Sequence, residues 1–97
     1  MESKKYTVYI DDNFHFMDIS YRIEYAQYDT IEETIKDCQT ITKLSLLEFF
    51  EKGISAEELI LKYQTFGDDP WIGGADNNLF SAWEYAKEKA KILTTWQ

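Results

Sequence analysis

The sequence predicts an α+β fold, a three-stranded antiparallel meander packed on three α-helices in two layers. Two observations carry that prediction. Apolar and polar residues alternate through much of the first quarter of the chain, the period of a half-buried strand. Farther on, Thr30-Ile31-Glu32-Glu33, Ser55-Ala56-Glu57-Glu58 and Ser81-Ala82-Trp83-Glu84 share the grammar of a capping box. There the N-cap hydroxyl accepts the N3 backbone N–H, and the N3 glutamate reaches back to the N-cap.

The strands come first. Tyr6, Val8 and Ile10 alternate, as do Ile19, Tyr21, Ile23 and Tyr25 against Ser20, Arg22 and Glu24. Asp11-Asp12-Asn13 is a turn-forming cluster between them. The expected strands are residues 5–10, 14–17 and 20–27. A two-residue turn at Asp12-Asn13 would pair Ile10 with His15. A three-residue loop would pair Ile10 with Phe14, leaving Tyr9 and His15 outside together. The second register gives the purer apolar face and is favoured.

The helices follow. The first is expected over 31–52, with Ile31, Ile35, Cys38 and Ile41 on its stripe and Gly53 as its stop. The second spans 56–66, burying Leu59, Ile60 and Tyr63. The third spans 82–94, where Ala82, Ala86 and Ala90 permit close approach. Ile54 with Leu59, and Phe80 with Tyr85, are placed as hydrophobic staples. Glu32 with Lys36, Glu48 with Lys52 and Glu58 with Lys62 are i,i+4 pairs. Residues 67–78, rich in Gly, Asp and Asn, are left as a long loop, a feature that is usually functional or mobile.

The 97 residues make one domain of 1–97, with a formal charge of −8 and 16% aromatic residues. That charge argues against direct nucleic-acid binding, whose phosphates need a basic patch. No apolar run reaches the length of a membrane span. The lone Cys38 leaves neither an internal disulfide nor a thiolate zinc site. A cytoplasmic location is expected, with no cofactor.

The strings Tyr6–Met17 (Y-T-V-Y-I-D-D-N-F-H-F-M), Thr65–Ile72 (T-F-G-D-D-P-W-I) and Phe80–Ala86 (F-S-A-W-E-Y-A) cover much of the chain. In them it resembles a small bacterial protein family with no assigned activity. The resemblance implies a stand-alone cytoplasmic protein and transfers no catalytic residue.

Several groups invite a chemical role. Asp11, Asp12, His15 and Asp18 have the types that hold a divalent cation, though a polar hairpin end explains them more simply. Asp68 onward fails the calcium-loop pattern, since Pro70 and Ile72 fall at ligand positions. Gly73-Gly74 lacks any phosphate-loop motif. Ser20, His15 and Asp18 match no known triad spacing. Cys38 sits on an apolar stripe, where a thiol acts as a small hydrophobe.

What remains is a surplus of aromatics. Tyr9, Tyr28, Trp71 and Trp96 have no obvious buried place. Trp71 is expected to pack back over the second and third helices, unless it serves as a contact. The functional expectation is therefore a small acidic interaction or accessory protein without catalytic activity. Its contact surface would combine Asp69, Pro70, Trp71 and Ile72 with Tyr9 and His15. Self-association into a symmetric dimer is one expectation for that surface. An acidic mimic of nucleic acid and a ligand or metal pocket near residues 67–78 are the alternatives.

Overall fold

Cross-strand hydrogen bonding ties the start of the chain to a segment sixty residues later. In a computed structural model, which describes residues 6–15, 18–73 and 80–95, β1 (Tyr6–Asp12) is the central strand of a three-stranded antiparallel sheet. Its neighbours are β2 (Ile23–Tyr28) and β3 (Asp68–Gly73), in the order β2-β1-β3. Three helices complete the α+β fold: α1 (Ile31–Phe49), α2 (Ala56–Phe66) and α3 (Ala82–Thr95).

The class, strand count and antiparallel pairing are as expected, but the strand order corrects the meander. Phe14 and His15 lie in a 3₁₀ turn (Asn13–His15), and a second such turn spans Ile19–Tyr21; residues 16–17 lie outside the described residues. Local side-chain bonds explain the turns. The Asp12 carboxylate accepts the Phe14 N–H at 2.9 Å, and Asp18 accepts both the N–H and the hydroxyl of Ser20 at 3.0 and 2.6 Å. Such bonds compete with a ladder and bend the chain. Neither proposed tight register forms, and Ile10 pairs with Ile23 across the longer connection. A bulge between Val8 and Tyr9 then shifts the register.

The third strand comes from the expected loop. From Asp69 to Gly73 the side chains alternate between half-buried and buried, with Pro70 and Ile72 inward. Pro70 is tolerated because β3 is an edge strand. Residues 74–79 lie outside the described residues.

All three helix starts are capped as expected, Thr30, Ser55 and Ser81 accepting the N–H of Glu33, Glu58 and Glu84. At the first two, the N-cap hydroxyl donates to the glutamate carboxylate, in place of the expected bond from the N-cap N–H. The Phe80–Tyr85 staple has ring centroids 5.9 Å apart. Helix α1 stops at Phe49, because Phe50 turns extended at ψ 131. Gly53 still supplies the left-handed residue, at φ 89, in the turn that follows. This early stop removes the helical geometry that Glu48 and Lys52 needed. Among the described residues Lys62 instead reaches Glu51 at 3.9 Å, and Lys87 reaches Glu84 at 3.6 Å.

Two apolar clusters hold the layers. Val8, Ile10 and Ile72 from the sheet meet Cys38 and Ile41 of α1. Leu46, Ile54, Leu59 and Tyr63 meet the alanine stripe of α3. Phe80 packs against both.

Candidate functional site

The inward side chains of the sheet meet α1, whereas no described element packs on the opposite face. Cross-strand partners share a face, so Tyr9 with Trp71 and Asp11 with Asp69 stand together on that open side. The Tyr9 and Trp71 rings stack with centroids 4.7 Å apart and planes 23° from parallel. Gly73 allows this arrangement. A Cβ there would lie 2.6 Å from Tyr9 Cε2, so the ring occupies the space a side chain would fill.

Arg22 spans the array from the β2 side. Its Nε and Nη2 donate to the two carboxylate oxygens of Asp11 at 2.7 and 3.1 Å. Its guanidinium carbon lies 4.9 Å from the centre of the Trp71 ring. The fork-to-carboxylate geometry is the strong form of such a pair, and Asp11 raises the Arg22 pKa. Asp69, directly opposite Asp11, has no such cation among the described residues. Burial, and then the charge of Asp11, push its carboxyl up to about 6. The face thus carries one compensated and one uncompensated carboxylate beside an aromatic pair.

Sequence reasoning placed six residues on one contact surface, and the fold brings three of them together. Tyr9, Trp71 and Asp69 share the open face. Pro70 and Ile72 do not: Ile72 is 7% exposed and both are buried toward α1, because neighbours in a strand point to opposite sides. His15 is also apart, stacked on Tyr21 with centroids 3.6 Å apart. Trp71 does not fold back over α2 and α3. Trp96 lies outside the described residues. Arg22 was missed as part of the surface, since nothing local in the sequence links it to Asp11 or Trp71.

The remaining polar candidates are each turned to a different partner. Asp11 holds Arg22, Asp18 holds Ser20, and Asp12 lies 3.0 Å from His15 Nδ1, a bond that lowers the Asp12 pKa. No three His, Cys, Asp or Glu residues gather to hold a metal ion among the described residues. The Ser20 hydroxyl donates to Asp18, away from the direction a triad needs. Cys38 is fully buried, and its thiol is pushed up to about 12 by that burial.

Asn13 has a role no turn signal suggested. Its side-chain amide donates to the Tyr63 carbonyl and its backbone N–H to the Gly67 carbonyl, both at 3.0 Å. It thereby caps the end of α2. The Tyr63 hydroxyl donates to the Asp68 carbonyl at 2.6 Å, and the Asp68 N–H donates to Ser45 Oγ at 3.0 Å. These bonds fix where β3 begins, and so where Asp69 and Trp71 stand. No described helix is long and apolar enough to cross a membrane. Comparison with family models, curated proteins and solved structures finds no match.

Proposed function

We propose that this chain is a small interaction or accessory protein that engages a protein partner through the open face of its sheet. One observation carries the reading: Tyr9, Trp71 and Arg22 form a stacked array on a sheet face that no described element covers. Tyr, Trp and Arg are the residue types that dominate binding energy at interfaces. Here Tyr9 and Trp71 rest on strands and Arg22 is held by two hydrogen bonds to Asp11, so little conformational freedom remains to be lost on association.

A different protein fits this face better than a second copy. Stacking two copies face to face would bring Asp11, Asp69 and Glu24 near their own duplicates, on chains that each carry a charge of −8. Like charges so juxtaposed disfavour the pairing.

The test is affinity capture with the native chain and with Trp71→Ala, alongside light scattering to fix the solution mass. A partner held by the native chain and lost by a folded Trp71→Ala is the expected result. A partner retained equally by both would remove the face from consideration. So would a stable dimer whose mass Trp71→Ala leaves unchanged and which captures nothing else.

A further inference from the structure

We infer that the open sheet face receives a cationic side chain, an arginine or lysine on a partner's extended segment, at the Asp69 carboxylate beside Trp71. The inference rests on the interaction reading above and adds the chemistry of the partner. Its basis is charge complementarity on a bare face. Asp11 and Asp69 are cross-strand neighbours on that face, whereas Asp12 and Asp68, one position along, point to its other side. Glu24, opposite Tyr9 on the β2 side, adds another exposed carboxylate. Among the described residues Arg22 is the cation at this face, and it is already committed to Asp11 through two hydrogen bonds.

Arg22 also displays the chemistry this face accepts. A guanidinium lies bidentate on one aspartate and over the ring of Trp71. The equivalent carboxylate across the ladder is half-buried and lacks a cation among the described residues. Leaving a partly buried charge unpaired is costly, and a partner's cation would relieve that cost. An incoming guanidinium could make at Asp69 the carboxylate pairing that Arg22 makes at Asp11. An anionic or purely apolar segment would leave Asp69 as it is.

The probe is the peptide acetyl-Arg-Gly-Arg-Gly-Arg-amide, titrated into the folded chain at low salt and followed by the indole N–H signals of the three tryptophans in a ¹H–¹⁵N spectrum. Saturable movement of the Trp71 signal, with Trp83 still, is expected. Asp69→Asn should then weaken binding about five- to tenfold, while Glu57→Gln, which removes the same charge from α2, should leave it nearly unchanged. The glutamate analogue of the peptide should not bind. If both variants weaken binding equally, or if Trp71 does not move, only net charge is acting and the proposal falls. Failure of the peptide while a captured partner still depends on Trp71 would reject the cation and keep the interaction face. Failure of both would reject the two together.

Discussion

Arg22 and Asp11 meet through two hydrogen bonds, at 2.7 and 3.1 Å, across eleven positions of sequence. The pair ties the chain entering β2 to the end of β1 and carries a cation over Trp71 on β3. One side chain thereby touches matters on all three strands. Replacing it with Gln keeps an amide donor but shortens the side chain, ends the two-pronged contact and removes the charge. In Arg22→Gln the Trp71 indole signal should shift, and the Asp69 carboxyl should titrate higher than in the native chain, because the cation over Trp71, on the face that Asp69 shares, is gone. An unchanged Asp69 titration, followed by ¹³C carboxyl shifts, would mean that Arg22 does not set the potential of this face.

Gly73 should be intolerant of even a methyl group. Its Cβ would meet the Tyr9 ring at 2.6 Å, so the ring would have to leave its stack on Trp71. Gly73→Ala should cost about 1–2 kcal/mol by urea denaturation, the range for overpacking at a closely filled site. In a Tyr9→Ala background the same change should cost much less. Equal costs in the two backgrounds would show that the ring is not what excludes the methyl.

Asn13 should matter more than a turn residue does. Its amide is buried and donates to a carbonyl at the end of α2. Asn13→Ala removes one of the two donors to that carbonyl, which keeps the Gly67 N–H at 2.8 Å, and should lower stability by about 1 kcal/mol, the net worth of one hydrogen bond. Asn13→Asp should be worse at neutral pH, since a carboxylate cannot donate and its charge would be buried. Chemical denaturation at pH 7 orders the three chains. A neutral outcome for Asn13→Ala would sink the capping role.

The pattern of success in reading the sequence has a physical basis. Helix starts depend on bonds three residues apart, so Thr30, Ser55 and Ser81 were legible in the chain itself. The alanine stripe of α3 was legible for the same reason, since period and size alone specify a close approach. The sheet was only half legible. Alternation identified β1 and most of β2, but Asp12 and Asp18 turn the backbone between them through bonds that compete with strand pairing. β3 was hidden because Gly and Asp bound its short alternation, Pro70 sits within it, and its ladder partner lies about sixty residues away. The open face suffered most. Tyr9 and Trp71 were visible as surplus aromatics, but the sheet register alone reveals that they stack, that Pro70 and Ile72 point the other way, and that Arg22 belongs beside them.

Asp69 gives the fold a pH dependence of definite sign. Burial, and then Asp11, raise its carboxyl from 3.8 to about 6. A carboxyl raised in the folded state binds its proton more tightly there than in the unfolded chain. Stability therefore falls as pH rises from 3.8 toward 6, and above that the penalty is complete. Asp68 is raised as well, by burial, Glu48 and Asp12 in that order, and acts in the same sense. Asp12 and Asp18 are lowered instead, so their contributions are lost only at pH below the ordinary 3.8, outside this window. Lowering the pH from 7 to 5 should thus raise the melting temperature. With Asp69 still partly exposed, the gain should be about 1 kcal/mol, or several degrees for a domain of this size. Asp69→Asn should raise the melting temperature at pH 7 and flatten the profile between pH 5 and 7. A native profile already flat in that range, or a variant that keeps the native slope, would show that the carboxylate opposite Asp11 is not the group being titrated.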